Sequence, residues 1–227
     1  MPIFQYGKCT SDVTVGNEGI LRAYRNGKIV YEQGDSATTY GLVFYGAQRI
    51  NTGIKGSSNL RVVVDVIQNT VSADTPLFGT RQNMNAQAWC YWQQVSSQVR
   101  TDYNNATYQL ARSNAPFNQR LIIDKDKNVT KVNGTVIHTA PAASFTNTID
   151  LYLGNVGIGS QHANNFNGRM FSCQVYDNDV LERDFVPVPQ GSTKYSTTAA
   201  TQNCMWDKVT KNYFINAGTG NFGIVEV

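Results

Sequence analysis

The fold class is indicated most directly by residues 61–67, which read Arg61-Val62-Val63-Val64-Asp65-Val66-Ile67. Five of these seven side chains are branched at Cβ, which suits the pleated surface of a β-sheet and restricts rotamers in a helix. The run has the length of an ordinary strand. It therefore predicts a central strand that is buried on most of both faces.

Short β-prone runs recur on both sides of this stretch, separated by glycine and polar clusters. They cover residues 42–45, 76–78, 88–92, 150–153, 168–176 and 213–215. No segment shows a sustained helical period with caps, and no repeat unit is present. We expect an all-β protein built mainly from a two-sheet antiparallel sandwich, without a parallel sheet.

Two Asn-Gly pairs predict hairpins, because both residue types tolerate the positive φ of a type I′ turn. Asn26-Gly27 lies between β-prone arms at residues 20–25 and 28–32. Asn133-Gly134 lies between two further arms of the same kind. We expect an antiparallel strand pair around each turn.

A domain boundary is predicted where small polar residues follow the first hairpin. We divide the chain into a β-hairpin module at residues 1–33, a linker at 34–39 and the sandwich at 40–227. The first module has too little apolar sequence for its own core, yet its arms are too apolar to remain solvated. Four of its residues are therefore predicted to mediate assembly into a homo-oligomer, with a trimer or dimer favoured: Tyr24, Ile29, Val30 and Tyr31.

The composition excludes several classes of function. Charged residues make up 15% of the 227, the net charge is +3, and no basic run gives a footprint for nucleic acid. No window approaches the roughly 18 apolar residues of a membrane span, and the first residues lack a secretion signal. A surface of Asn, Thr, Ser and Gln is typical of extracellular or virion β-proteins.

The cysteines and histidines match no metal or nucleophile motif. The four cysteines are far apart in sequence and are interpreted as reduced, buried small side chains, with one disulfide pair as the alternative: Cys9, Cys90, Cys173 and Cys204. His138 and His162 lack a serine nucleophile motif.

Enzyme motifs are absent or out of context. Residues 218–223 form a literal Gly-x-Gly-x-x-Gly, but too few residues follow for the helix that a dinucleotide site needs, so we interpret them as a loop before the last strand. Glycan hydrolysis needs two facing carboxylates, and the acids of residues 177–184 are interpreted as solvated groups of a loop and its exit. The chain is predicted not to be an enzyme.

One aromatic cluster is a candidate ligand-binding site. Trp89, Tyr91 and Trp92 lie close together, and strand alternation places Trp89 and Tyr91 on one face, with Cys90 and Trp92 on the other. One face must be core. The other is a candidate platform for stacking a sugar ring.

Several segments resemble the laminin-G-like, concanavalin A-like jelly-roll domains of bacteriophage and prophage virion proteins. The resemblance covers roughly residues 40–225, and the segments that carry it are Ala47-Gln48-Arg49-Ile50-Asn51-Thr52-Gly53-Ile54, Pro76-Leu77-Phe78-Gly79-Thr80-Arg81, Gly168-Arg169-Met170-Phe171-Ser172-Cys173-Gln174-Val175-Tyr176-Asp177 and Leu181-Glu182-Arg183-Asp184-Phe185-Val186-Pro187. In residues 168–177, alternation predicts that Phe171, Cys173 and Val175 face the core while Ser172, Gln174 and Tyr176 face outward.

The resemblance implies a virion structural protein: a fibre, tail or capsid-decoration subunit that adheres to cell-surface glycans. Its partners would be other virion proteins, and it would be located in the virion after synthesis in the host bacterial cytoplasm. A free lectin-like carbohydrate-binding module is the alternative, with a glycan hydrolase behind it. No cofactor is expected, although the family's calcium site keeps Asp65, Asp102 and Asp150 open as ligands.

Overall fold

The computed structural model of this chain describes residues 13–15, 21–25, 28–33, 39–70, 73–83, 86–94, 98–158, 161–162 and 166–227. Before residue 39 and at 161–162 it describes the backbone alone. The chain divides into two compact units, residues 1–38 and 39–227.

The first unit contains a three-stranded antiparallel sheet. Its strands are β1 (Val13–Val15), β2 (Leu21–Arg25) and β3 (Lys28–Gln33), and β2 lies in the middle. The pairing runs from Leu21 opposite Gln33 to Arg25 opposite Lys28, which confirms the first predicted hairpin. Its Asn26-Gly27 turn lies outside the described residues.

The second unit is a β-sandwich. Its strands are β4 (Tyr40–Tyr45), β5 (Ile50–Ser57), β6 (Leu60–Gln68), β7 (Thr75–Arg81), β8 (Ala88–Gln93), β9 (Gln98–Asn104), β10 (Ala106–Ala111), β11 (Arg120–Asp126), β12 (Val129–Val132), β13 (Thr135–Thr139), β14 (Thr146–Leu153), β15 (Gly157–Ile158), β16 (Gln161–His162), β17 (Asn167–Asp177), β18 (Val180–Val188), β19 (Cys204–Asp207), β20 (Asn212–Phe214) and β21 (Gly223–Glu226). Within the described residues, the 3-10 turn Arg112–Asn114 is the one helical segment. No described helix is long and apolar enough to span a membrane.

The strands form two sheets. Sheet I has the order β10-β9-β8-β7-β14-β5, with the short strands β15 and β16 attached at β7. Sheet II has the order β13-β12-β11-β6-β17-β18-β19-β20, and β4 joins it by pairing with both β17 and β21. The pairing is antiparallel except for two residues of β15 beside β7. This confirms the predicted fold class, a two-sheet antiparallel jelly-roll sandwich preceded by a small β module.

Strand β6 shows how the sequence sets the layers. Its inward residues Leu60, Val62, Val64 and Val66 have no exposed surface and pack in the core between the sheets. The alternate residues, Val63 among them, are half-buried and face away from the core. β6 is thus a central strand as predicted, and none of its residues is exposed on either face.

A β-bulge in β17 corrects the predicted register. Met170 pairs with Val66 and Ser172 with Asp65, so Phe171 is an extra residue between them. Phe171 is buried, but it lies outside the core cluster and beneath the guanidinium of Arg120, 4.1 Å from the ring centroid. Phe171 was therefore assigned to the wrong face. The core positions of Cys173 and Val175 are confirmed, and Ser172, Gln174 and Tyr176 are half-buried as outward residues.

The turn chemistry agrees with the second predicted hairpin. Asn133 and Gly134 have φ values of 49° and 79°, as a type I′ turn requires, and they join β12 to β13. The acidic segment after β17 is a second such hairpin, whose turn is Asn178-Asp179. Glu182 and Asp184 lie on β18, so their assignment to a loop and its exit is wrong.

The chain ends of the sandwich pair with each other. β21 runs antiparallel to β4, and the amide of Val227 donates a 2.8 Å hydrogen bond to the carbonyl of Thr39. Residues 218–222 of the glycine-rich segment form the connection into β21, which begins at Gly223, as predicted from the lack of a following helix.

Three cysteines are free and buried: Cys90, Cys173 and Cys204. Burial raises the pKa of Cys90 and of Cys204 to about 11, which keeps both protonated at neutral pH. For these three the interpretation as reduced small side chains is confirmed. Cys9 lies outside the described residues.

Candidate functional site

The predicted aromatic cluster lies on β8 and divides between the two faces of sheet I. Trp89 and Tyr91 belong to the core between the sheets, whereas Cys90 and Trp92 pack in a separate cluster on the other face. The predicted alternation is confirmed. All three rings are buried, so neither face of β8 presents an open stacking platform in this conformation.

Trp92 is held by a charged cluster around Asp102. The indole Nε1 donates a 2.7 Å hydrogen bond to Asp102 Oδ2, and the guanidinium groups of Arg81 and Arg100 lie 5.3 and 5.0 Å from the ring centroid. Asp102 Oδ2 also accepts from Arg81, and Oδ1 accepts from Arg100 Nε at 2.7 Å and Thr107 Oγ1 at 2.8 Å. Four donors saturate the carboxylate, which therefore fixes the cluster rather than facing a ligand.

The other carboxylates considered for calcium also have cationic partners. Asp65 accepts two hydrogen bonds from Arg120, at 2.9 and 2.8 Å. Asp150 lies 2.6 Å from Lys55 Nζ and accepts from Asn51 at 2.9 Å. Burial raises the pKa of Asp150, but these two contacts outweigh burial and the pKa falls below its ordinary value. No described group of three or more His, Cys, Asp or Glu side chains is arranged to hold a metal ion.

A second candidate site lies at one end of the sandwich. There, on two strands, the row of side chains that faces the core ends in a polar residue. On β6 the row continues from Val66 to Gln68, and on β8 it continues from Tyr91 to Gln93. Both glutamines have no exposed surface. Thr75 pairs with Gln93 at the start of β7. The last layer of the core at this end is therefore made of carboxamides and hydroxyls.

We call this group the polar end layer and define it as Gln68, Thr75, Tyr91, Gln93 and Arg112. Eight of its side-chain atoms are buried and lack a hydrogen-bond partner: Gln68 Nε2 and Oε1, Thr75 Oγ1, Tyr91 Oη, Gln93 Nε2 and Oε1, and Arg112 Nε and Nη1. Native proteins pair the great majority of their buried polar groups with protein, water or ligand. The concentration of unpaired atoms in one layer makes it the candidate binding site, where water or a ligand would supply the partners.

Tyr91 links the two sheets electrostatically. Burial raises its pKa, while the charge of Arg112 and the proximity of the Gln68 carboxamide lower it. Gln68 belongs to sheet II and Tyr91 to sheet I, so these side chains approach each other across the sandwich. Neither forms a hydrogen bond of good geometry there. The phenol stays protonated at neutral pH and is available both to donate and to accept.

Arg112 is positioned by backbone carbonyls beside the layer. It follows β10, and its Nη2 donates to the carbonyls of Gln98 and, at 2.5 Å, of Gln94. Its guanidinium also lies 3.9 Å from the ring centroid of Phe117. Burial lowers the pKa of Arg112, opposed by Tyr91 and Asp74. One face of the group is thus anchored while Nε and Nη1 stay unpaired.

The chemistry of the polar end layer suits binding. Its carboxamides and hydroxyls both donate and accept, and sugar hydroxyls have the same dual capacity. The sequence prediction included Tyr91 but missed Gln68, Thr75, Gln93 and Arg112. The sequence did contain a signal for the two glutamines. Each stands two residues after an apolar residue of its strand, at a position that alternation assigns to the core face.

The residues predicted to mediate assembly lie on the strands of the first unit. Tyr24 is on β2, and Ile29, Val30 and Tyr31 are on β3. The structure describes the backbone of these strands but not their side chains. Their role in assembly stays a prediction.

Comparison with known proteins adds information on the fold. No family model and no curated protein match this chain. A protein of Bacteroides ovatus ATCC 8483, provisionally described as carbohydrate binding, is similar with a TM-score of 0.53 and 12% identity, over 94% of this chain and 70% of its own. This likeness supports the sandwich fold.

Two further solved structures are more distant. The CBM40 of the Ruminococcus gnavus IT-sialidase, solved with α2,3-sialyllactose, has a TM-score of 0.47 and 16% identity, over 65% of this chain and 94% of its own. Domains LG4-5 of the mouse laminin α1 chain have a TM-score of 0.44 and 18% identity, over 72% of this chain and 51% of their own. Neither adds to the fold assignment, and none of these three is described as a phage protein.

Proposed function

We propose that this chain is a non-catalytic carbohydrate-binding module whose ligand is bound by the polar end layer. The observation that carries the proposal is the set of unpaired carboxamide, hydroxyl and guanidinium atoms shared by Gln68, Tyr91, Gln93 and Arg112. A polyhydroxylated ligand satisfies such a set, because each hydroxyl both donates and accepts. The Bacteroides ovatus protein of the same fold has a provisional carbohydrate-binding description, which agrees with this function.

Glutamine-to-leucine variants test the site. Gln68→Leu and Gln93→Leu preserve approximate side-chain size but remove the unpaired polar atoms, so we expect the folded protein to be as stable as the parent or more stable. Binding to a glycan identified on an array should weaken about 10- to 100-fold in each variant, because ligand hydroxyls lose their partners. Isothermal titration calorimetry measures the affinity and thermal melting measures the stability.

The matched control is Gln109→Leu, a glutamine on β10 whose side chain is exposed. It should bind like the parent. If Gln68→Leu and Gln93→Leu also bind like the parent, the polar end layer is not the site. If the parent binds no glycan on a broad array, the carbohydrate-binding function itself is rejected.

The proposal also covers where the protein acts, either in a virion or as a free module. The segments at residues 76–81 and 168–187 resemble phage virion proteins, and on that resemblance we propose a virion location after synthesis in the host bacterial cytoplasm, with adhesion to a host-surface glycan. The free lectin-like module is the competing setting, and the polar end layer fits both. Mass spectrometry of purified particles tests this part, since a free lectin would be absent from them.

A further inference from the structure

The outer face of sheet II carries an exposed aromatic ring at the end of β4. Tyr45 is 65% exposed, and it is the one aromatic side chain among the exposed large apolar residues that the structure describes. Strand alternation accounts for its direction. Leu42 and Phe44 belong to the core, so Val43 and Tyr45 face away from it. The ring is thus open to ligands on the surface of the sandwich.

The ring leans over the neighbouring strand β21 because a glycine there leaves room. Gly223 of β21 pairs with Val43 of β4. A Cβ atom at residue 223 would lie 2.9 Å from Cζ of the Tyr45 ring and 3.0 Å from Val43 Cβ, closer than carbon atoms normally approach. The ring therefore covers Gly223, and its high exposure leaves its other side to solvent.

Gln48 fixes the position of the ring. Its side chain is buried, and its Oε1 accepts a 2.8 Å hydrogen bond from the amide of Tyr45. Its Nε2 donates at 2.9 Å to the carbonyl of Asn221, two residues before β21 begins. One side chain thus joins the strand that carries the ring to the strand that the ring covers. A surface that is held in place before the ligand arrives loses less conformational entropy on binding.

A cation without a counter-ion lies on the same face. Arg169 of β17 pairs with Val43, on the side of β4 opposite to β21. Its side chain is exposed and forms no ion pair or hydrogen bond with the part of the chain that the structure describes. Arg120 on this face is instead paired with Asp65. The charge of Arg169 is therefore available to an external anion.

The ring and the guanidinium are spaced to contact one sugar residue. Neighbouring strands lie about 4.8 Å apart, so β21 and β17, on the two sides of β4, are separated by about 10 Å. A pyranose stacked on Tyr45 then has substituents within reach of the long Arg169 side chain. The C–H groups of a sugar carry partial positive charge and meet the negative face of an aromatic ring. Arginine binds a carboxylate through two parallel hydrogen bonds.

We propose that Tyr45 and Arg169 form a further binding site, on the outer face of sheet II, for a carboxylated sugar such as a uronic acid residue. The inference rests on the proposed function for its class of ligand, but it uses no residue of the polar end layer. Tyr45 supplies the stacking surface, and Arg169 selects the carboxylate.

The test uses the full chain and calorimetry with defined oligosaccharides. The probes are fragments of oligogalacturonate, alginate and hyaluronan, the carboxyl-reduced form of each, and a sulfated galactan. We expect at least one carboxylated fragment to bind, and its reduced form to bind about tenfold or more weakly. Tyr45→Ala and Arg169→Gln should each weaken binding about tenfold. Gly223→Ala should also weaken it, because the added methyl group displaces the ring.

Lys194→Gln is the matched control for charge, since Lys194 is exposed in the connection from β18 to β19 and should bind like the parent. Thermal melting should show that every variant is folded. The inference is overturned if Tyr45→Ala or Arg169→Gln binds like the parent, or if the reduced fragments or the sulfated galactan bind as tightly as the carboxylated ones. Binding of neutral glycans alone also overturns it but leaves the proposed function intact. Absence of binding to every glycan rejects both.

Discussion

Lys125 on β11 donates a 2.9 Å hydrogen bond to Thr101 Oγ1 on β9, so a lysine side chain spans the interior of the sandwich from sheet II to sheet I. The side chain is 1% exposed and its Nζ lies 5.1 Å from the ring centroid of Trp89. Burial lowers the pKa of Lys125 from 10.5 to about 8, against the opposing influence of Cys90 and Asp102. An ammonium group here is stabilised less than in water.

Replacing this lysine should stabilise the protein. The folded chain releases the Lys125 proton near pH 8 and the unfolded chain near pH 10.5, so the unfolded state binds more protons between these values and stability rises with pH there. Below pH 8 both states are charged and the cost of burial is complete. We expect Lys125→Met to raise the free energy of unfolding at pH 7 by on the order of 1–3 kcal/mol, with the gain shrinking towards pH 10.

Urea unfolding at several pH values measures this effect. Lys131→Met on β12 is the matched control, since the Lys131 side chain is 30% exposed and pairs only loosely with Asp124 at 3.7 Å. The control should change stability little at any pH. A Lys125→Met protein that is less stable than the parent at pH 7 would show that the interior ammonium contributes net stability.

Removing the Asp102 charge should be costly. Asp102→Asn leaves Arg81 and Arg100 without their shared counter-ion in a buried cluster, and breaking buried ion pairs typically costs about 3–5 kcal/mol. Asp65→Asn is the control, because the Arg120 side chain that it pairs with is 46% exposed, and such pairs contribute about 1 kcal/mol or less. Denaturant unfolding distinguishes the two. An equal loss of unfolding free energy in the two variants would contradict the structural role of Asp102.

A charge at Cys173 should unfold the sandwich. Cys173 has no exposed surface and packs in the core, so Cys173→Asp buries a carboxylate without a partner at a cost of several kcal/mol, roughly. Gln109→Asp, on an exposed position of β10, introduces the same side chain and should leave folding intact. Circular dichroism melting tests both. A Cys173→Asp protein that melts like the parent would mean that β17 has a different register.

The first unit is predicted to drive assembly. A chain beginning at Gly34 lacks Tyr24, Ile29, Val30 and Tyr31, and we expect it to remain a folded sandwich but to become monomeric, while the full chain forms a dimer or trimer. Light scattering after size-exclusion chromatography measures the mass of each. If both proteins have the same oligomeric state, the anchoring role of residues 1–33 is wrong.

The strands and turns that the sequence predicted are those whose local residue pattern agrees with the strand pairing in the structure. The Asn133-Gly134 turn was predictable because its backbone conformation is a property of those two residues. The strands β9 and β10 were not predicted, because charged and polar residues such as Arg100 and Asp102 interrupt the apolar pattern. Asp102 is buried on β9 because it also contacts Arg81 on β7 and Trp92 on β8, and these contacts depend on the order of the strands in sheet I.

The candidate binding site was less predictable than the fold for a related reason. Tyr91 was a candidate because aromatic rings bind sugars, but the role proposed for it depends on Gln68, which lies on the other sheet. Proximity across two sheets is set by strand order, and a single sequence does not encode it locally. The bulge at Phe171 was unpredictable for the same reason. One extra residue changes the sheet face on which a side chain lies, and the composition of the strand does not reveal it.

The pairing of β21 with β4 has a consequence for biosynthesis. These strands are the first and last of the sandwich, so the edge of β4 stays open on the ribosome until residues 223–226 emerge. Contacts of such long sequence separation form late, because the intervening loop must close first. During that interval the free edge of β4 can pair with the same strand of another nascent copy. Slow translation or crowded polysomes should therefore favour misassembly at this strand.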